Sequence, residues 1–345
     1  MSLLEVRDLR VEFDTYGGVV RAARGVSFSL ERGKTLAIVG ESGSGKSVSV
    51  QALMGLIPMP PGRITGGSVL FNGKEILGLP AKAANSIRGK EIGMIFQDPM
   101  TSLNPTMTVG RQISETLRYH DGLDDAAARR AAIELLEKVQ IPEAASRVDS
   151  YPFLFSGGMR QRVMIAMAIA CRPALLIADE PTTALDVTVQ DQILNLLQDL
   201  QRERQMSVIL ITHDLGVVAR MADEVAVMYA GQIVETGDVR QIFARPAHPY
   251  TLGLQAARPP ADERRREPLE PIEGAPPDLF HPPRGCAYYE RCPWAMKVCE
   301  ANDPPLWSIN DSQSSRCWLH HEYGARRRPE RLAHGALIPA QPDRP

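Results

Sequence analysis

The sequence predicts an α/β protein in which a mixed sheet is combined with a helical region and a small, irregular C-terminal extension. Three observations support this prediction. An apolar strand runs into a glycine-rich loop and a helix over 35–56, and further apolar strands appear at 92–96, 174–178 and 207–212. Residues 100–150 show the spacing of amphipathic helices instead, and cysteines cluster near the C-terminus.

Composition limits the classes of function. The 345 residues suffice for one large domain plus an extension, and 44% hydrophobic with 23% charged residues is ordinary for a globular protein. A net charge of −2 gives no basic surplus, so we expect no nucleic-acid partner. We find no uninterrupted apolar run of about 18 residues. Residues 1–11 lack the apolar core of a secretory signal, so we expect a cytosolic protein that reaches a membrane only through a partner.

The glycine-rich loop reads G-x-x-x-x-G-K-S and follows the strand at 35–39. Its glycines allow successive backbone N–H groups to point at phosphate oxygens. We expect the lysine to reach the β- and γ-phosphates of a nucleotide and the final serine to ligate Mg²⁺. The alternative is a turn that fits by chance, and residues downstream decide against it. The predicted nucleotide-binding residues of the loop are Gly40, Glu41, Ser42, Gly43, Ser44, Gly45, Lys46 and Ser47.

Around this loop, residues 3–13 and 26–30 read as strands, and 67–73 as a short strand ending in an Asn-Gly turn. An aromatic residue about thirty positions before the loop lysine can stack on adenine. Tyr16 is placed for that role and Phe13 competes with it. A ring that simply packs is an equally good interpretation.

Polar residues follow the buried strands, at the edge where open α/β sheets bind ligands. Gln97 can sense the γ-phosphate or its Mg²⁺, and Asp179 can hold Mg²⁺ through water. Glu180 can act as general base toward the attacking water, and His213 is a candidate γ-phosphate contact. Taken singly, Gln97 would more often be a solvated loop residue and His213 a structural one.

The helical region contains amphipathic helices over 108–119 and 124–140, the second with Asp124 as a plausible N-cap. After it, Ser-Gly-Gly at 156–158 opens an apolar helix. Such an opening is a second possible anion site, although an ordinary N-cap is the simpler interpretation of this motif alone.

Together, GESGSGKS, Gln97, FSGGMRQR, LLIADEP and His213 resemble the nucleotide-binding subunit of ABC transporters. The stretch 155–190 and the sequence His-Pro-Tyr-Thr from 248 are similar to the D-type subunit of bacterial dipeptide and oligopeptide permeases. The resemblance implies a P-loop NTPase fold. Its expected parts are an ABC nucleotide-binding domain at 1–240 with a helical subdomain at about 100–165, a C-terminal extension at 241–325 and a mobile tail at 326–345.

The resemblance also implies a function: an ATP-hydrolysing subunit that drives import of di- or oligopeptides. Ser156, Gly157 and Gly158 would face the ATP of a second subunit, and Asp186 would lie at the subunit contact. The implied partners are a second, related ATP-binding subunit, two transmembrane permeases and an extracytoplasmic binding protein. The chain would sit at the cytoplasmic face of the inner membrane.

Two alternatives to peptide import stay open. One is import of nickel, glutathione or another small solute by the same branch, and the other is a non-transport ABC ATPase. The chain also departs from the family's pattern. Phe155 and Met159 replace the first and last residues of Leu-Ser-Gly-Gly-Gln, as is familiar in the peptide-importer branch. Phe153 and Leu154 stand where relatives commonly have His-Glu, which makes this lead-in more apolar.

Four cysteines in the extension are separated by five, six and seventeen residues, within a proline-rich stretch that has little core of its own. A metal centre would add stability there. Structural zinc usually shows a short C-x₂₋₄-C pair, which is missing, whereas longer spacings suit a [4Fe–4S] cluster. The resemblance points the same way, with zinc or free thiols as alternatives. The candidate ligands are Cys286, Cys292, Cys299 and Cys317.

Overall fold

The computed structural model describes residues 2–183, 185–257 and 271–333. Within these ranges, no helix combines the length and apolar character that crossing a bilayer requires. The strands are β1 (Ser2–Thr15), β2 (Gly18–Glu31), β3 (Thr35–Val39), β4 (Gly62–Phe71), β5 (Lys74–Glu75), β6 (Ile92–Ile95), β7 (Leu175–Asp179), β8 (Ser207–Thr212), β9 (Glu224–Tyr229), β10 (Gln232–Asp238), β11 (Trp307–Ser308) and β12 (Ser314–Ser315). The helices are α1 (Lys46–Leu53), α2 (Ala81–Ile87), α3 (Pro99–Ser102), α4 (Val109–Asp121), α5 (Asp125–Lys138), α6 (Ala144–Arg147), α7 (Gly157–Ala168), α8 (Val187–Arg204), α9 (Leu215–Met221), α10 (Val239–Ala244), α11 (Pro249–Ala256) and α12 (Lys297–Ala301).

The chain divides into two compact units. The first unit consists chiefly of Ile76–Thr212 together with Leu30–Thr35. The second unit combines Leu4–Ser29, Leu36–Glu75 and the described residues from His213 onward.

In the first unit, β6, β7 and β8 pair in parallel, with Ile95 opposite Ala178 and Asp179 opposite Ile211. All residues of these strands are buried, as expected for parallel strands covered on both faces. The helices α4, α5 and α7 pack together, and Asp124 caps α5 by accepting from the backbone N–H of Ala127 at 2.7 Å. The predicted strands and amphipathic helices of this region are therefore present.

In the second unit, one sheet has the order β2-β1-β4-β5, and its Asn-Gly turn has the positive φ angles of a tight hairpin at Asn72 and Gly73. In the other sheet, β3 pairs with β9 in parallel, and β10 pairs antiparallel with β9 and β12. β2 is longer than the predicted strand at 26–30. Its first half, 18–25, lacks strict apolar alternation and therefore gave no strand signal.

The extension is joined to this second sheet by the fully buried carboxylate of Glu235. Its oxygens accept hydrogen bonds from the backbone N–H groups of Ala247 and His248, at 2.6 and 2.9 Å. The amide of Gln313 donates at 2.9 Å, and the hydroxyl of Thr251 also donates. Burial raises the pKa of Glu235 to about 7, although the four donors oppose this shift. The carboxylate thus connects strand β10 to α11 and to the residues before β12.

The tail was predicted to be mobile over 326–345, but its first part is packed in the structure. Leu332 and Ala333 are buried against apolar residues of the extension, so residues 326–333 belong to the packed structure. No sequence pattern indicates this packing, because the apolar residues are isolated among arginines and prolines. The rest of that tail, 334–345, and residues 258–270 lie outside the described residues.

Candidate functional site

The glycine-rich loop 40–47 lies in the second unit, between the fully buried strand β3 and helix α1. Gly43 and Gly45 have φ angles of +77° and +99°, which residues bearing a Cβ rarely adopt. At Gly45 a Cβ would also lie 2.2 Å from the carbonyl oxygen of Ala22. The loop therefore requires glycine where the motif has it, and α1 begins directly after Gly45.

The backbone of the loop binds the side chain of Lys46. The Nζ of Lys46 donates to the carbonyl oxygens of Gly40 and Glu41, at 2.8 and 2.9 Å, and the side chain is buried. The carbonyl oxygen of Ser44 accepts from the N–H of Gly231 at 2.9 Å. These bonds keep the ammonium group within the turned backbone, where it can bind phosphate oxygens as a point charge. Of the two other serines, Ser42 is exposed and Ser47 is the second residue of α1.

In the first unit, the structure brings Gln97 and Glu180 together. The Nε2 of Gln97 and the Oγ1 of Thr183 donate to the same oxygen of Glu180, at 3.0 and 2.8 Å. Glu180 has a φ of +46°, a strained conformation of the kind that clusters at functional sites. Asp179, the last residue of β7, is buried. Thr183 is the member of this group that the sequence analysis did not single out.

The predicted partner-facing residues begin two helices of the first unit. Ser156 caps α7 by accepting from the N–H of Met159, and Asp186 caps α8 in the same way. A Cβ on Gly158 would lie 2.6 Å from a side-chain methyl of Val189, whereas Gly157 has space around it. The Ser-Gly-Gly motif therefore acts as an N-cap through Ser156, and packing requires glycine at 158. The first turn of α7 is partly exposed and still offers N–H groups to an anion.

Two predicted nucleotide contacts lie on exposed surface of the second unit. Tyr16, in the turn between β1 and β2, is fully exposed, so its ring is accessible to a base. Phe13 is half-buried. His213 follows β8 and is exposed, and its neighbour Asp214 caps α9 by accepting from Gly216 at 2.6 Å.

The four cysteines of the extension line one small cavity, together with His248, Tyr288, Trp294 and Trp318. The N–H of Cys286 donates to the carbonyl oxygen of Cys299 at 2.7 Å. Burial raises the pKa of Cys286 to about 12 and of Cys292 to about 11, so these thiols are protonated at neutral pH unless a metal displaces the proton. Among the described residues, no group of three or more His, Cys, Asp or Glu side chains could hold a metal ion.

The extension also reaches the phosphate loop, which the sequence analysis missed. The N–H of Glu41 donates to the hydroxyl of Tyr250 at 2.9 Å. The guanidinium of Arg291 donates to the carboxylate of Glu41 at 2.8 Å and to the hydroxyl of Tyr229 at 3.2 Å. Loop residue and arginine are 250 positions apart in the chain, so no local pattern could reveal the contact.

A patch of apolar side chains is exposed in the first unit, near the start of α7. Phe153, Leu154 and Met100 are each about three-fifths exposed, and Tyr151 stacks on Phe153 with ring centroids 5.6 Å apart. Arg160 binds the backbone carbonyl of the adjoining Pro152 at 2.9 Å and contacts the sulfur of Met100. We call Met100, Tyr151, Phe153 and Leu154 the apolar patch. Phe153 and Leu154, the two departures from the family pattern that precede the signature, therefore both lie in it.

Comparison with known proteins relates the chain to two protein families and to named relatives. The family described as ABC transporter matches residues 23–183, and the family described as oligopeptide/dipeptide transporter, C-terminal region, matches residues 234–299. The chain is 59% identical to the oligopeptide transport ATP-binding protein OppD of Bacillus subtilis, covering 92% of this chain and 89% of the relative. It is 53% identical to the dipeptide transport ATP-binding protein DppD of the same organism, covering 93% and 96%.

Solved structures agree in fold. A dimeric ATP-binding cassette, MJ0796, in a post-hydrolysis state bound to ADP and phosphate, has a TM-score of 0.62 and 26% identity. The match covers 69% of this chain and 99% of that one. The predicted ABC cassette, the ATPase class and the resemblance to peptide-importer subunits are thereby confirmed. The chain belongs to the oligopeptide and dipeptide branch of ABC transporter ATP-binding proteins.

Proposed function

We propose that this chain hydrolyses ATP as a subunit of a membrane importer, and that hydrolysis drives uptake of di- or oligopeptides. The observation that carries the proposal is the Glu180 carboxylate, fixed by Gln97 and Thr183 at the end of a fully buried strand. This arrangement fits a general base for water attack on a phosphate. The names of the relatives support peptides as the solute.

Each group has a defined role in this reaction. Lys46 binds the β- and γ-phosphates, and the loop N–H groups surround them. Glu180 takes a proton from a water molecule as that water attacks the γ-phosphorus, and Gln97 orients this carboxylate. His213 donates a hydrogen bond to the γ-phosphate. The phosphorus–oxygen bond to ADP then breaks, and ADP and phosphate leave.

Mg²⁺ would be held by Ser47, Gln97 and Asp179. Their hydroxyl, amide and carboxylate oxygens are the hard donors that this ion prefers, and Asp179 is a buried carboxylate at a strand end. The ion would neutralise charge on the phosphate oxygens.

The working form would contain two ATP-binding subunits, each completing the other's site. Ser156, Gly157 and Gly158 would offer the first turn of α7 to the nucleotide on the partner, and Asp186 would lie at the contact. The dimeric state of the MJ0796 cassette supports this arrangement. We expect the second subunit to be a different but related chain.

The remaining partners would be two transmembrane permeases and an extracytoplasmic binding protein, with this chain held at the cytoplasmic face of the membrane. The apolar patch supports a protein contact in the first unit, because several large apolar side chains are exposed together there. The ATP-binding subunit does not contact the solute. Import of nickel, glutathione or another small solute is therefore the second candidate, and a non-transport ABC ATPase the third.

We propose further that the four extension cysteines bind a [4Fe–4S] cluster, with zinc as the alternative. The support is that all four line one cavity walled by aromatic rings. Cys286, Cys292, Cys299 and Cys317 would hold such a cluster through their thiolates. Protein purified without oxygen should contain about four irons per chain, as a [4Fe–4S] cluster requires. Protein holding one zinc and no iron would contradict the cluster.

The ATPase proposal is tested with Glu180→Gln in the assembled complex, with Glu322→Gln, an exposed residue of the extension, as matched control. Loss of the base should lower the hydrolysis rate about 10²- to 10⁴-fold while ATP still binds. Unchanged turnover in Glu180→Gln would refute the assigned role. The solute is decided by uptake of labelled peptides against nickel and glutathione in cells that carry the complete transporter.

A further inference from the structure

The C-terminal extension contacts the phosphate loop through Glu41. Arg291 donates to the Glu41 carboxylate at 2.8 Å, and the two side chains are 6% and 26% exposed. Tyr250 accepts the N–H of Glu41 at 2.9 Å. The second residue of the loop is therefore bound at both its backbone and its side chain by the extension, within one compact unit.

Several bonds fix the position of the Arg291 guanidinium. Its Nε donates to the carbonyl oxygen of Glu273 at 3.0 Å, and its Nη2 to that of Ile272 at 3.2 Å. Its Nη1 also donates to Tyr229, and its Cζ lies 5.8 Å from the centre of that ring. With its donors satisfied in different directions, the guanidinium meets Glu41 in one orientation.

The backbone of Arg291 belongs to the cysteine-bearing part of the extension. It ends a 3₁₀ turn, Tyr289–Arg291, and directly precedes Cys292. The N–H of Tyr289 donates to the carbonyl oxygen of Cys286 at 3.0 Å. The N–H of Cys286 donates in turn to the carbonyl oxygen of Cys299. The place of the guanidinium therefore depends on the fold of the segment that carries the cysteines.

The charge of Glu41 matters because of where it lies. A carboxylate in a loop that binds phosphates repels them, and the repulsion is strong where solvent screening is incomplete. Arg291 neutralises this carboxylate with a nearly buried cation. Without that cation, the unpaired negative charge would stand among the N–H groups that receive the nucleotide.

We propose that Arg291 is a positioning residue for nucleotide binding: it neutralises and orients Glu41, so ATP affinity depends on the folded cysteine-bearing segment. The proposal rests on the proposed ATPase function. It goes beyond that function by assigning the extension a role in the nucleotide site.

The test measures the Kd of the full-length chain for Mg·ATP, and kcat and KM for ATP in the assembled complex. Arg291→Gln should raise Kd and KM about ten-fold, as one unpaired like charge near phosphate predicts, with kcat within two-fold of wild type. Arg291→Lys, which keeps the charge, should recover most of the affinity. The matched control is Arg316→Ala, another extension arginine, whose guanidinium binds the carbonyl oxygen of Pro304 instead.

The double variant Glu41→Gln/Arg291→Gln separates a charge effect from a packing effect. If Arg291 acts through Glu41, removing both charges restores Kd to within about two-fold of wild type, because the repulsion is gone. If the double variant binds as weakly as Arg291→Gln, the arginine merely supports the fold and the proposal is wrong. The loss in Arg291→Gln should also shrink at 1 M salt.

Glu41→Gln alone leaves the extension intact, so it tests the proposal even if Arg291→Gln fails to fold. It should bind Mg·ATP more tightly than wild type, because the repelling carboxylate is gone while the Arg291 cation remains, and unchanged or weaker binding would overturn the assignment. Wild-type protein that binds no Mg·ATP would instead refute the proposed ATPase function. Wild-type binding with an unchanged Kd in folded Arg291→Gln would refute only the role of Arg291.

Discussion

Replacing Glu235 by glutamine tests how the extension is joined to the sheet. The carboxylate accepts four hydrogen bonds, and glutamine keeps one oxygen while placing an NH₂ group against two of the donors. The Thr251 hydroxyl can turn and accept from that group, which leaves the N–H of His248 without a partner. One orphaned buried donor costs about 1–3 kcal/mol of unfolding free energy. Glu235→Ala removes this acceptor from all four donors, of which only the Gln313 amide keeps another bond, to the carbonyl oxygen of Arg245, so its loss should be more than twice as large.

The effect should depend on pH, because burial raises the pKa of Glu235 from 4.5 to about 7. Between these values the folded protein binds a proton that the unfolded chain has lost. The contribution of Glu235 is therefore complete below pH 4.5 and is lost as pH rises to 7. A shift of this size corresponds to about 3 kcal/mol. The stability difference between wild type and Glu235→Gln should fall by that amount, so the variant should match or exceed wild type at pH 8.

His248, a second buried group, changes the stability with pH in the opposite direction. Burial lowers the pKa of His248 from 6.5 to about 3, so its contribution is present above pH 6.5 and is lost as pH falls. His248 is present in wild type and variant, so subtracting their stabilities removes its contribution.

The measurement is urea unfolding at a series of pH values, followed by tryptophan fluorescence. All three tryptophans, Trp294, Trp307 and Trp318, lie in the extension and report on the region that Glu235 anchors. The exposed Glu322→Gln serves as control. A difference that stays constant from pH 4.5 to 8 would show that the carboxylate is ionised throughout. The four donors, and not burial, would then govern its charge.

Three further predictions concern other parts of the chain. Gly45→Ala should abolish nucleotide binding, because a Cβ cannot fit there, and equilibrium binding of Mg·ATP checks it. The double change Phe153→His and Leu154→Glu should leave ATP binding unchanged but alter co-purification with the permeases; equal co-purification would exclude the apolar patch from that contact. Burial raises the pKa of the Cys171 thiol to about 11, so this cysteine should react with iodoacetamide at pH 8 far more slowly than a free thiol does, and rapid labelling would contradict that environment.

Local chemistry explains what the sequence predicted well. The phosphate loop is recognisable because left-handed glycines, a lysine and a preceding buried strand lie next to one another. The helix starts at Asp124 and Ser156 are recognisable because an N-cap satisfies N–H groups only two or three residues away. The strand-end residues Gln97 and Glu180 could be placed at one edge because parallel strands end together.

Contacts between distant segments explain what the sequence did not predict. Arg291 looks like a solvated charge in an irregular segment, and only the folded chain brings it to Glu41. Glu235 looks like an exposed strand residue, yet it is fully buried because the extension supplies its donors. The packing of Leu332 likewise depends on a surface that the cysteine-bearing segment creates.

The pairing of β12 with β10 has a consequence for self-association. Thr236 and Glu235 pair with Ser314 and Ser315, and the N–H of Arg316 continues the ladder to the carbonyl oxygen of Val234 at 2.8 Å. A strand whose outer side is open can recruit a strand from another molecule. Strand β12 of the extension covers the outer side of β10. A chain truncated after α11 should therefore aggregate through β10.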